Sequence, residues 1–282
     1  MSIAETRPGG HARRRCMVRG VWVMALLAPG AGCAVVQRAA TPTERDDVVF
    51  YCDGAGGGGP LTDWGASVRE GLLRDGYEGE FRSFRWQTGL GVLADHATSA
   101  AYKRGKAREL VGYMKQHWRR FPGGSVHLIG LSAGSAIAVF AVEELPRGNQ
   151  VDNVILLGSS LSADYDLRRA LARMRGEMYV FSSTRDRVLQ LFVPIAGSAD
   201  RHLTGTRVAG RYGFQLPPDA DDRTEVLYSK IVHIEWDEDR AGAGDPGTHT
   251  GTTNPRFVQQ YIAPLINRDG PRHLTIRPAR DE

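Results

Sequence analysis

The stretch Val126-His127-Leu128-Ile129-Gly130-Leu131-Ser132-Ala133-Gly134-Ser135 runs from apolar residues suited to a buried strand into an abrupt turn at a serine. Behind it, Ala136-Ile137-Ala138-Val139-Phe140-Ala141-Val142 is apolar on every side, as a helix buried against a sheet must be. The turn itself spells Gly-x-Ser-x-Gly through Gly130, Ser132 and Gly134. Glycines two residues to either side let strand and helix approach closely while the serine is held at the apex of a strained bend. Ser132 is therefore the candidate nucleophile.

Outward from this turn, the chain alternates strand and helix signals with no internal repeat. Strands are expected over 47–52, 81–86, 126–129, 151–157 and 178–183, with another inside 226–236. Helices are expected at 64–74, capped by Thr62 or Asp63, and at 98–120, 166–175 and 255–266. This order predicts an α/β fold, a mostly parallel central sheet with helices on both faces and functional residues at the carboxyl ends of strands. Residues 187–225 fit the alternation poorly and read as an excursion over the site.

The amino end differs in kind. Arg13, Arg14, Arg15 and Arg19 precede the apolar run from Val21 to Ala28, and small residues lead to Cys33. That is the layout of a secretory signal, with an apolar run too short to span a bilayer as a mature helix. Ala31-Gly32-Cys33-Ala34 resembles the acylation box of bacterial lipoproteins, although Pro29 and Gly30 depart from it; lipidation of Cys33 and simple cleavage nearby both stay open. The resulting division is a leader and linker over 1–40, an α/β domain over 41–267 and a polar tail over 268–282. Export to a bacterial cell envelope follows as periplasmic, secreted or membrane-attached protein.

The 282-residue chain carries 36 Lys and Arg against 32 Asp and Glu, a formal charge of +4. Residues 1–33 hold five arginines and one glutamate, so without them the charge is zero. A neutral domain presents no positive field to a phosphate backbone, which argues against nucleic acid as a partner. Beyond Cys33 the sole cysteine is Cys52, inside an apolar run, where it reads as a buried thiol with neither a disulfide partner nor metal-ligand spacing.

A serine hydroxyl needs a base to accept its proton, and the base needs an acid to orient it. Asp186 follows the 178–183 strand by three residues, and His249 lies in the glycine-rich loop Gly244-Asp245-Pro246-Gly247-Thr248-His249 after the last strand. Asp164 and Asp166, after the preceding strand, are rival acids. His127 and His233 alternate with apolar neighbours as strand residues do, and His96, His117, His202 and His273 lack a strand-end loop.

With serine, acid and histidine in this order, residues 47–266 resemble the α/β-hydrolase superfamily of serine esterases and lipases. The resemblance implies that Ser132 is nucleophile, His249 general base and then acid, and Asp186 the group that fixes the imidazole tautomer. It implies an oxyanion hole built from the amide after the nucleophile, Ala133, and one from the loop Asp53-Gly54-Ala55-Gly56-Gly57-Gly58-Gly59, with Ala55 the first choice and Gly54 the second. That loop resembles the His-Gly-Gly-Gly type, but Asp53 stands in place of the histidine. Gly54, Gly56 and Gly59 also satisfy the dinucleotide pattern Gly-x-Gly-x-x-Gly, yet Pro60-Leu61-Thr62-Asp63 delays the helix that a Rossmann unit starts within its fingerprint. The expected activity is cleavage of a small-molecule or lipid carboxylic ester through an acyl-enzyme, with no metal or organic cofactor. The rival expectation is a non-catalytic envelope lipoprotein that keeps the fold for binding or scaffolding.

Overall fold

The structure is a computed structural model that describes residues 46–59, 62–200 and 207–267. The leader with Cys33 and the tail over 268–282 lie outside the described residues, as do His202 and His273.

Six parallel strands form one sheet in the order β2-β1-β3-β4-β5-β6. They are β1 (Val48–Cys52), β2 (Glu80–Phe84), β3 (Val126–Leu131), β4 (Val154–Leu157), β5 (Met178–Ser182) and β6 (Ile231–Glu235). Every neighbouring pair is parallel, as a chain that returns through a helix after each strand must be. β1, β3, β4 and β5 are buried along their whole length and read as near-continuous apolar runs, which is how a sheet covered on both faces is encoded.

Alternation along β1 divides the core. Val48, Phe50 and Cys52 face one layer with Leu110 and Met114 of α3 (Ala100–Arg120) and Ile137 and Phe140 of α4 (Gly134–Glu143). Val49 and Tyr51 face the other, with Val68 and Leu72 of α1 (Trp64–Arg74) and with Phe257 and Val258. These last begin the terminal helical segment Pro255–Phe257, which continues through a π-turn at Val258–Ile262 and a 3-10 turn at Ala263–Leu265. Burial of each large apolar side chain contributes roughly 1.5–3 kcal/mol, so the two layers together hold the sheet from both sides.

Of the two expected caps of α1, Asp63 is the one that accepts from the Ala66 amide, at 2.9 Å. α3 begins at Ala100, two residues later than expected, because Ser99 caps it by accepting from the Tyr102 amide at 3.1 Å. The expected helix over 166–175 is shorter, α5 (Arg168–Leu171), because Asp166 turns outward to pair with Arg168. Between β2 and α3 the chain forms a short helix, α2 (Val92–Ala97), that no sequence signal announced. The described residues from 187 onward form α6 (Arg187–Ala196), α7 (Ala209–Tyr212) and α8 (Asp222–Tyr228), the last running past 225. Among the described residues no helix is long and apolar enough to cross a membrane.

The sheet order reverses direction at β1 and β3. The first crossover from β1 runs to β2 on one side, and the next elements build outward from β3 on the other. In such sheets a crevice opens at the carboxyl ends of the two strands where the winding reverses. The loop after β1 and the serine turn after β3 both lie there.

Candidate active site

Ser132 has φ of +51°, the single non-glycine positive φ among the described residues. A left-handed serine costs on the order of 1–2 kcal/mol, and the surrounding packing must impose it. The flanking glycines show how. A Cβ on Gly130 would lie 2.7 Å from Ser135 Cα, and one on Gly134 would lie 2.1 Å from the Cys52 carbonyl oxygen. Strand, turn and helix therefore close to a distance that only glycine permits. The Ser132 amide donates to the Leu157 carbonyl at 2.9 Å, which ties the turn to the end of β4. Ser132 is half-buried, while Ala133 beside it has no exposed surface.

Asp186 and His249 arrive from the other side of β4. Asp186 is the N-cap of α6: its Oδ1 accepts from the Leu189 amide at 2.9 Å. Its Oδ2 faces His249 Nδ1 at 2.7 Å, and only 2 % of the Asp186 side chain is exposed against 13 % for His249. One carboxylate thus caps a helix and orients an imidazole through separate oxygens. Gly158, with φ of +50°, marks where the two sides meet. It follows Leu157 directly, and a Cβ on it would stand 3.4 Å from His249 Nδ1 and 3.5 Å from Asp186 Oδ2.

The rival acids are elsewhere. Asp166 is exposed and bound to Arg168, and Asp164 is exposed. The other described histidines have structural partners: His96 Nε2 bonds to the Gly197 carbonyl at 2.8 Å, His117 Nε2 to that of Asp46 at 3.0 Å, and His233 accepts from the Phe214 amide at 3.0 Å. His127 is buried within β3.

The loop carrying His249 is pinned at several points. Ser183 Oγ donates to the Gly247 carbonyl at 2.8 Å, Trp236 Nε1 to the Asp245 carbonyl at 2.8 Å, and the Gly247 amide to Asp245 Oδ1 at 2.9 Å. Asp245 is buried, and desolvation pushes its carboxyl up to about 6; the nearby Asp186 adds to this, while the Gly247 amide and Arg240 oppose it. No local sequence signal sets Asp245 apart, because its burial comes from packing against residues distant in the chain.

The loop after β1 lies against Ser132, for a Cβ on Gly54 would stand 3.4 Å from Ser132 Cβ. Asp53, which takes the place of the expected histidine, is 1 % exposed and accepts from the Gly54 amide at 2.8 Å and the Tyr51 hydroxyl at 3.1 Å. Burial raises its carboxyl to about 6 in spite of those two donors. The Gly54 N–H, the second choice of oxyanion donor, is thus engaged by its own neighbour. Further along, Gly56 donates to Asp95, Gly57 to the Gly54 carbonyl and Gly58 to that of Thr62. Among the described residues the amides of Ala55 and Ala133 donate to no protein acceptor.

Cys52 has no exposed surface and is a free thiol whose ionisation is driven up by burial. The helix that follows the glycines in sequence begins only at Trp64, so it does not open within the fingerprint as the helix of a Rossmann unit does. Among the described residues no group of three or more His, Cys, Asp or Glu side chains is placed to hold a metal ion.

No protein-family model matches the chain, and no curated protein matches it. Among solved structures, a novel cutinase-like protein from Cryptococcus sp. is similar at 15 % identity over 80 % of this chain and 94 % of that one, with a TM-score of 0.41. An acetylxylan esterase is similar at 14 % identity over 75 % of this chain and 96 % of its own, with a TM-score of 0.39. An iodinated complex of acetyl xylan esterase is similar at 13 % identity, over 77 % and 95 % of the two chains, with a TM-score of 0.41.

Proposed function

We propose that the protein is a serine hydrolase that cleaves carboxylic esters through an acyl-enzyme. Ser132 Oγ attacks the ester carbonyl while His249 Nε2 accepts its proton, and Asp186 holds Nδ1–H and stabilises the imidazolium as it forms. The tetrahedral intermediate's oxygen is received by the amides of Ala55 and Ala133. His249 then returns the proton to the leaving alkoxide, the C–O bond breaks, and an acyl-Ser132 ester remains. A water deprotonated by His249 attacks that ester, and the same two amides receive the second oxyanion before the acid leaves and Ser132 regains its proton.

The observation that carries this reading is at the end of β4, where Leu157 accepts from the amide of the left-handed Ser132 and the next residue, Gly158, lies against the buried Asp186–His249 pair. Preformed donors matter because they need no reorganisation as charge develops; one such donor is typically worth 10²–10³-fold in rate. The rim adds a preference. Leu90, just before α2, and Leu93 in its first turn are 81 % and 70 % exposed, and Leu191 on α6 is 67 % exposed. α2 adjoins the Ala55 loop through Val92 and Gly56, and Asp186 caps α6, so these apolar side chains stand on the two elements next to the site and are the ones proposed to meet an ester with an apolar acyl or alkyl portion.

Labelling with a fluorophosphonate tests the proposal. A stoichiometric adduct at Ser132, abolished by Ser132→Ala and strongly slowed by His249→Ala, is the expected result. Folded wild-type protein that takes up no label would overturn it and leave a binding or scaffolding lipoprotein as the reading.

A further inference from the structure

The orphan amide of Ala55 belongs to the peptide unit whose carbonyl is that of Gly54. In a planar trans peptide N–H and C=O point in opposite directions, so whatever grips the Gly54 oxygen also aims the Ala55 N–H. Gln87 Nε2 donates to that oxygen at 3.0 Å, and the Gly57 amide does so at 3.1 Å. The Gln87 amide is itself oriented without ambiguity: Oε1 accepts from the Trp86 amide at 3.1 Å, so a flip would set donor against donor at one end and oxygen against oxygen at the other.

The neighbouring peptides are held from the same segment. Trp86, with no exposed surface, donates Nε1 to the Asp53 carbonyl at 2.7 Å, and its own carbonyl accepts from the Tyr102 hydroxyl at 2.9 Å. Asp95, 1 % exposed, accepts from the Gly56 amide at 2.9 Å and from Thr88 N and Oγ1, each at 2.6 Å. Three consecutive peptide units, each side of Ala55 included, are thus gripped by side chains between β2 and α3. A donor on a peptide oxygen also polarises the N–H of the same unit and strengthens it as a donor.

We infer that Gln87 is a positioning residue for the oxyanion hole, aiming and polarising the Ala55 N–H through the Gly54 carbonyl. The inference rests on the serine-hydrolase reading. Its effect belongs to the transition state, because the oxyanion exists only there, so it moves kcat and leaves KM nearly alone.

The test measures hydrolysis of p-nitrophenyl butyrate by wild type, Gln87→Leu, Gln87→Glu and Ser132→Ala, each confirmed folded by circular dichroism. Gln87→Leu should lower kcat by about 10- to 100-fold, below the effect of deleting a donor outright, with KM within about twofold. Gln87→Glu keeps the acceptor for Trp86 N–H but cannot donate when ionised. Its kcat relative to wild type should be low at pH 8 and rise towards pH 5 as the carboxyl regains a proton to donate, while the Leu variant's ratio stays flat. A merely structural side chain would show no such contrast. Folded Gln87 variants with kcat within about twofold of wild type, or losses identical at every pH, overturn the inference alone. Wild-type turnover that survives Ser132→Ala, or no turnover at all, overturns the hydrolase reading and this one with it. Should Gln87→Leu fail to fold, the nearly isosteric Glu variant decides.

Discussion

Asp186 and His249 are 63 residues apart in the chain and 2.7 Å apart in space, Oδ2 to Nδ1, and the same carboxylate caps α6 with its other oxygen. Joining these tasks in one side chain places the start of α6 and the imidazole in a fixed relation. The acid's position is therefore set by a helix terminus, not by a free loop.

Asp186→Asn keeps an oxygen for the Leu189 amide but can present an N–H to His249, favouring the wrong tautomer. Ester hydrolysis is expected to fall by about 10³- to 10⁴-fold in kcat with little change in KM. Asp164→Asn and Asp166→Asn, both at exposed positions, should leave kcat within about twofold. Steady-state kinetics on the three variants checks the assignment.

Asp245 is expected to impose a pH dependence on stability. Its folded carboxyl titrates at about 6 against an unfolded value near 3.8, so the folded state holds the proton more tightly. The stability from that proton is fully present below about pH 4 and lost as pH rises through 6; at 1.36 kcal/mol per pH unit the loss is about 3 kcal/mol. Asp245→Asn preserves the acceptor for Gly247 and removes the charge. Urea denaturation should find it more stable than wild type at pH 8 and equal to it at pH 4.

Gly134→Ala should be severely destabilising, by about 3 kcal/mol or more, because the new Cβ would lie 2.1 Å from a backbone oxygen of β1 that cannot move without breaking the sheet. Gly105→Ala, at a helical site with open space around it, should be neutral or slightly stabilising. Paired denaturation curves separate steric from generic glycine effects.

Leu93→Ser and Leu191→Ser should lower kcat/KM for p-nitrophenyl octanoate several-fold more than for the acetate. Each buried methylene contributes about 0.8 kcal/mol of transfer free energy, which a short acyl chain cannot gain from the rim. A chain-length series on each variant measures it; equal losses at all lengths would remove the rim from substrate choice.

Much of the architecture is local information. The apolar runs of β1, β3, β4 and β5, the Asp63 cap of α1 and the glycine-spaced serine turn are each written in a few adjacent residues, because strand burial, helix capping and close backbone approach act over that range. The position of Asp186 after a strand and of His249 in the last loop was legible for the same reason. Residues whose structure depends on distant partners were not. α2 is only six residues long and is held by Asp95 reaching back to Gly56 and Thr88, so no periodicity marks it. Where 187–225 is described it forms helices α6, α7 and the start of α8 with no strand among those described residues, so the strand–helix alternation gives no reading of it.

By itself, then, the sequence determined a parallel α/β chain, the strained turn at Ser132 and the strand-end positions of Asp186 and His249, since these follow from residue size, polarity and spacing along the backbone. Tertiary structure alone decided which acid meets the imidazole and which amides stay unpaired beside Ser132. A hydrogen bond needs its atoms within about 3 Å, and Asp53 claiming the Gly54 N–H, Gln87 gripping the Gly54 carbonyl and Asp186 reaching His249 arise only when the folded chain brings those atoms together.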